Sequence, residues 1–262
     1  MQYIDAHAHI YPEDIAMKAS ASTAEFYGIE MACDGRLKTL EERGRQASIE
    51  KHVVLGVAVT PERVTGINNY LMRTVAERPG LIIGFGAMHP GIPDIHGEIR
   101  RIKAGGLKGV KIHADMQKVY LDSADMMKLY RVLAKENMPA MLHMGDPRFS
   151  YSEPARLQKA LRAVPDVRVI AAHIGGWLVW EDAWRRLADL DNVWVDTSSS
   201  LYKFSPAEGA ALIRRYRPDR VLFGTDFPMW DPVTERERFD ALPFTAQERE
   251  NIGRKNMEAF LA

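Results

Sequence analysis

Apolar and polar positions alternate along the chain in a repeating order. Short apolar runs open at residues 2 (QYIDAHAHI), 53 (VVLGVAV), 81 (LIIGFGAM), 107 (LKGVKIH), 138 (MPAMLHM), 167 (VRVIAAHIGG), 193 (VWVDTSSS) and 220 (RVLFGTDFP). Runs of this length, bounded by Gly, Pro and polar residues, read as strands buried on both faces. After the first interval they begin roughly 25 to 31 residues apart, the spacing of repeated strand–helix units. Between them the period lengthens to that of a helix. Ile95, Ile99 and Ile102 share a face, as do Met126, Leu129, Tyr130 and Leu133. Leu157, Ala160, Leu161 and Val164 do the same, and so do Trp180, Ala183, Trp184 and Leu187. The Met126–Met127 and Trp180–Trp184 pairs read as helix core.

Eight strands alternating with amphipathic helices predict an α/β fold, a (β/α)8 TIM barrel. An open doubly wound sheet is the alternative, but no Gly-x-Gly-x-x-Gly follows the first strand. The first interval departs from the repeat. Residues 10 to 35 read as an irregular insertion (YPEDIAMKASASTAEFYGIEMACDG) and are followed by a polar helix before 52. The tail TAQERENIGRKNMEAFL starts with a Thr cap and a glutamate three residues on, the mark of a helix start. No linker or low-complexity tract interrupts the chain, so residues 1–262 are expected to form a single domain with the insertion at about 10–52.

The charge balance, 35 basic against 35 acidic residues, argues against a nucleic-acid partner. The one cysteine, Cys33, can form neither an internal disulfide nor a Cys-based zinc site. The opening residues lack a basic region followed by an apolar stretch, and no apolar run approaches the roughly 20 residues of a membrane span. A cytoplasmic protein without a membrane partner is expected.

Polar residues concentrate at the strand ends, where a barrel of this type carries its chemistry. His7 and His9 close run 1, His89 follows run 3, and Lys111 and His113 close run 4; His143 closes run 5, His173 run 6, and Asp226 follows run 8. Six of the eight histidines belong to this set. Residues two apart in a strand face the same way, so His7 and His9 can share one ion. With His143 and Asp226 they make a set of N and O donors suited to a divalent cation that keeps a site for water. Strands 1 and 8 must then be neighbours, which requires a closed sheet. His173 is placed to take or deliver a proton. Each residue also has a plain structural reading. His7 and His9 can be an unrelated pair, His173 a packed histidine, and Asp226 a helix cap. His89 and His113 divide between pocket lining and structural hydrogen bonding. Arg148 can bind a substrate carboxylate or lie solvated in its loop, and Trp177 and Trp230 can wall a pocket or simply pack.

Together, DAHAHI, GVKIH, HMGD, AAHIGG and FGTDFP, in that order, resemble the strand-end motifs of the amidohydrolase superfamily. The nearest branch is the one that includes aminocarboxymuconate-semialdehyde decarboxylase. The resemblance implies a single zinc, or manganese, held by His7, His9, His143 and Asp226. It implies that His173 deprotonates or orients the metal-bound water and that Asp226 shuttles a proton. Binuclear relatives carry a bridging Glu or carboxylated Lys at the end of strand 4. A second metal is therefore expected here only if Lys111 is carboxylated, because an ammonium cannot ligate. Otherwise Lys111 attracts an acidic substrate or pairs with a buried carboxylate.

Two reactions suit these groups. The preferred expectation is hydrolysis of a small ester, lactone or amide, carrying a carboxylate, by metal-activated water. The alternative is non-oxidative decarboxylation of an aromatic or muconate-type acid. A small-molecule substrate is expected in either case, with a homodimer as the further partner that the branch suggests.

Overall fold

The computed structural model describes all 262 residues. Eight strands form one parallel sheet in chain order: β1 (Tyr3–Ala8), β2 (Ile49–Leu55), β3 (Ile82–Ala87), β4 (Gly109–Ile112), β5 (Ala140–Leu142), β6 (Val169–Ala171), β7 (Val193–Asp196) and β8 (Val221–Leu222). The helices are α1 (Ala16–Tyr27), α2 (Leu37–Gln46), α3 (Val64–Glu77), α4 (Ile95–Ala104), α5 (Ala114–Gln117), α6 (Ala124–Lys135), α7 (Pro154–Ala163), α8 (Trp180–Leu187), α9 (Pro206–Ile213), α10 (Pro232–Asp240), α11 (Ala246–Glu250) and α12 (Asn256–Leu261). This is the expected (β/α)8 barrel. All eight apolar runs carry a strand, although β2 starts at Ile49 rather than at residue 53.

Strands 1 and 8 close the ring by backbone bonds. Ala6 N–H donates to Phe223 O at 2.8 Å, Asp226 N–H to His7 O at 2.7 Å, and His9 N–H to Phe227 O at 2.7 Å. The buried Asp5 carboxylate ties the seam from the side. It accepts from Thr225 N–H (2.9 Å) and Thr225 Oγ1 (2.8 Å), and lies 3.3 Å from His52 Nδ1.

The barrel interior is packed by Ile4, Ala6, Val53, Leu55, Phe85, Met141, Ile170 and Leu222, and Met257 and Phe260 of α12 join the same cluster. A second cluster lies between sheet and helices and takes the predicted helix faces, including Ile99, Ile102, Met126, Leu129, Tyr130, Leu133, Leu157, Ala160, Leu161 and Leu187. Each fully buried Leu or Phe side chain removes enough apolar surface to contribute about 2 kcal/mol. Thr245 and Glu248 form the expected capping box at the head of α11.

The segment 10–35 is not irregular throughout: it contains α1, twelve residues long. Its sequence, AMKASASTAEFY, has small and polar residues where a wide apolar stripe would stand, and it buries just Ala16 and Ser20. Lacking a stripe, it gives little periodic signal. It is followed by α2, the expected polar helix.

Candidate metal centre and active site

The strand ends of β1, β5, β6, β7 and β8 converge. In β1 the register against β2 shifts between Asp5 and Ala8, an irregularity of the kind that re-aims side chains. His7 Nε2 then lies 3.2 Å from His9 Nε2 and 3.3 Å from Asp226 Oδ1, and His9 Nε2 lies 3.6 Å from the same oxygen. His7, His173 and Asp226 also offer three ligand atoms within 4.8 Å of one another.

Hydrogen bonds behind the rings fix which nitrogens carry protons. Nδ1 of His7 donates to Asp196 Oδ2 at 3.0 Å, and Nδ1 of His9 donates to Leu55 O at 3.1 Å. Both Nε2 atoms are therefore bare lone pairs. They face a carboxylate oxygen whose partner, Oδ2, accepts from Ser199 Oγ. Three electron-rich atoms this close repel unless cationic charge screens them, and Lys111 Nζ, 3.3 Å from His7 Nε2, supplies part of that charge. The donor set thus fits a divalent metal, backed by the carboxylate–histidine support such sites use. Burial, first, and the nearby Lys111 hold His7 well below its usual range and His9 down to about 3, so both imidazoles stay neutral.

His173 stands beside this group. Its Nδ1 meets Ser198 O (3.3 Å) and Ser198 Oγ (3.0 Å), and its Nε2 lies 3.0 Å from His143 Nδ1. Burial, then His7, keeps its pKa well below the usual value. His143 touches the cluster only through this contact; its own ligand atom groups with those of His113 and Asp115, all within 4.8 Å of one another. Its other nitrogen, Nε2, is 3.7 Å from Asp115 Oδ2. His143 Nε2 and Asp115 Oδ1 are buried without a hydrogen-bond partner. Asp115 itself is pushed up to about 6 by burial, against a bond from Ser152.

Backbone strain gathers at the same strand ends. His173, Ser199 and Asp226 have φ of 63°, 48° and 60°, in the left-handed region that costs a non-glycine residue about 1 kcal/mol or more.

The remaining expected residues fall in distinct places. Lys111 is buried with Nζ 3.3 Å from His7 Nε2, and burial lowers its pKa to about 8 against the pull of Asp226 and Asp196. His113 caps α5 and contacts Tyr27 Oη at 2.5 Å through Nε2. His89 is half-buried, and its Nδ1 accepts from Gly91 N–H at 3.0 Å, a local turn bond. Arg148 is held by other residues of the chain. It is paired with the buried Asp146 at 2.6 Å and donates to Phe26 O at 2.6 Å, fastening the end of α1. Trp177 and Trp230 belong to an aromatic rim. Tyr27 and Trp177 are 5.5 Å apart, Trp177 Nε1 donates to Tyr202 Oη at 3.3 Å, and Tyr202 and Trp230 are 4.6 Å apart. Trp230 Nε1 donates to Ser199 Oγ at 2.8 Å, which links the rim to Asp226.

Sequence reasoning missed Asp196, Ser198 and Ser199, although VDTSSS closes the seventh run and the strand-end logic applied to the others covers it. It also missed Asp115 and Tyr27, which sit in α5 and α1 and carry no local signal.

No helix is long and apolar enough to cross a membrane. The amidohydrolase family profile matches residues 4–262. The chain is 24% identical over 286 residues to gamma-resorcylate decarboxylase of Rhodococcus jostii (strain RHA1), covering 85% of each chain. Among solved structures, 2,6-dihydroxybenzoate decarboxylase from Rhizobium superposes with a TM-score of 0.77 at 20% identity, covering 100% of this chain and 99% of that one. The manganese-bound 5-carboxyvanillate decarboxylase from Novosphingobium aromaticivorans DSM 12444 gives 0.71 at 18% identity, covering 99% and 96%. These relatives overturn the expectation of hydrolysis: each is a decarboxylase of an aromatic acid, and the residues that suit hydrolysis suit that reaction equally. The chain belongs to the amidohydrolase family.

Proposed function

We propose that the protein is a metal-dependent, non-oxidative decarboxylase of a small aromatic carboxylic acid. The observation that carries this reading is the aromatic rim of Tyr27, Trp177, Tyr202 and Trp230 beside a buried His/Asp donor set. A planar ring stacks against such walls, and its acid and phenol oxygens match a cationic centre. The decarboxylase relatives support the same assignment.

His7, His9, His143 and Asp226 would hold one divalent ion, with manganese favoured by a manganese-bound relative and zinc compatible with the same N and O donors. That ion supplies positive charge for the oxygens of the bound acid. The chain's own groups do the rest. Asp196 and Leu55 O hold the two β1 imidazoles in the tautomer that presents Nε2. Ser199 holds Asp226 from behind. When the bond between ring carbon and carboxylate breaks, its electron pair stays on the ring carbon, carbon dioxide leaves, and that carbon takes one proton. We assign proton handling to His173: Nδ1 donates to Ser198 O, so the bare Nε2, which accepts from His143 Nδ1 at 3.0 Å, is the atom that takes up and releases it. Asp226, with Oδ2 4.0 Å from His173 Nδ1 and pushed up to about 6 by burial, is the second carrier.

The test is carbon dioxide release from 2,6-dihydroxybenzoate, 5-carboxyvanillate and related hydroxybenzoates, with manganese or zinc supplied. Release that chelation abolishes is expected. No release from any of these acids, by protein shown to contain the metal, overturns the assignment.

A further inference from the structure

We infer that Tyr27, on the helix inserted after β1, is a substrate-binding residue that donates its hydroxyl proton to an oxygen of the bound acid, and that His113 is the positioning residue that turns it that way. This rests on the aromatic-acid reading above and adds a recognition contact to it.

The case begins with a tautomer. Met116 N–H can only donate, and it points at His113 Nδ1 at 3.3 Å. A proton on Nδ1 would set two N–H groups against each other, so the ring proton sits on Nε2. The same contact excludes the doubly protonated ring, so one proton is all it carries. Nε2–H therefore donates to Tyr27 Oη at 2.5 Å, and the tyrosine oxygen is the acceptor. The Tyr27 O–H is left to point elsewhere. The other nitrogen within reach, His143 Nδ1 at 3.5 Å, is no acceptor: Ser198 O takes the His173 Nδ1 proton, so His143 Nδ1 donates to the bare His173 Nε2. Trp177 lies edge-on to the Tyr27 ring at 5.5 Å, and the His143 ring is 5.9 Å away. The free proton is thus directed among residues of the site, where a ligand oxygen can take it.

Tyr27 is also held firmly. It ends α1, and Gly28 follows in the left-handed conformation with φ 64°. Arg148 bonds Phe26 O and stacks 5.0 Å from the Phe26 ring and 5.5 Å from the Tyr27 ring, while Asp146 holds the guanidinium. Phe149 stacks on Phe26 at 5.8 Å. A tyrosine hydroxyl, with an ordinary pKa of about 10, keeps its proton at working pH.

The probe is 2-nitrophenol, whose nitro group copies a carboxylate but cannot be lost as carbon dioxide. Its affinity for metal-loaded protein is measured by calorimetry for wild type, Tyr27→Phe, His113→Asn and the double variant, with metal content as a control. Asparagine can still cap α5, so His113→Asn removes the ring donor and keeps the cap. Tyr27→Phe is expected to weaken binding about tenfold, the loss of one good hydrogen bond, with metal content unchanged. His113→Asn is expected to weaken it severalfold and to add nothing in the Tyr27→Phe background. Wild-type affinity retained in Tyr27→Phe overturns the inference alone. Additive losses in the double variant remove the role of His113. No binding by wild type removes the aromatic-acid reading and this inference with it.

Discussion

Asp196 and His7 meet at 3.0 Å, Oδ2 to Nδ1, although 189 residues separate them in the chain. The same carboxylate accepts from His173 N–H (3.2 Å) and Ser198 N–H (3.0 Å) through Oδ1. One residue of β7 therefore sets both the tautomer of His7, in the proposed metal set, and the strained backbone of His173, the proposed proton carrier. Asp196→Asn is expected to weaken metal binding about 10- to 100-fold, as loss of such a supporting carboxylate does elsewhere. Competition with a chromophoric chelator measures it, and wild-type affinity in the variant would show that His7 is oriented without Asp196.

His173→Asn is expected to lower turnover by about 10²-fold or more, the usual worth of a positioned proton carrier. Elemental analysis should find the wild-type amount of metal in the same sample. Full turnover by the variant would mean that the proton travels through another group, with Asp226 first in line.

The chain was legible where pattern alone decides. Buried parallel strands read as apolar runs, and histidines at their ends stood out because no packing reason puts so many there. The α1 helix was not legible, since Ala, Ser and Thr on its faces leave no stripe to count. Tyr27 was invisible for the same reason, as its role is set by a helix end and by a histidine 86 residues away. Arg148 illustrates another limit: its pairing with Asp146 depends on a loop turning back on itself, which residue types do not announce. The reaction was misjudged because hydrolysis and decarboxylation draw on the same metal, histidine and aspartate.

Asn68 of α3 is fully buried and spans the end of β3. It donates to Ala87 O at 3.0 Å and to Glu98 Oε1 at 2.7 Å, and accepts from Ala87 N–H at 2.7 Å. Asn68→Ala strands both backbone groups of Ala87 away from water. A loss of about 3 kcal/mol in unfolding free energy is expected from urea titration, since each orphaned polar group costs about 1–3 kcal/mol. A loss under about 1 kcal/mol would mean that water replaces the amide there.

Glu235 of α10 is buried, and burial pushes its pKa up to about 7 from an ordinary 4.5, with its partner Arg238 pulling the other way. A carboxyl raised in the folded state binds its proton more tightly there than in the unfolded chain. Its contribution to stability is full below about 4.5 and is lost as pH rises to about 7. The swing is about 3 kcal/mol. Glu235→Gln cannot titrate, so its stability relative to wild type should improve between pH 4.5 and pH 8. Denaturation midpoints across that range check the sign. A relative stability that stays level would show that Arg238 keeps the carboxylate ionised throughout.

The seam between β1 and β8 has a consequence for biosynthesis. His7 leaves the ribosome well before Asp226, which follows only when the eighth strand has been made. A nascent chain can present the two β1 imidazoles early but cannot assemble the carboxylate against them until the cylinder is complete. An ion held by His7 and Asp226, as proposed, would thus be in no position to nucleate folding, as zinc does in small finger modules. It would arrive on a finished barrel and act as a latch across the seam.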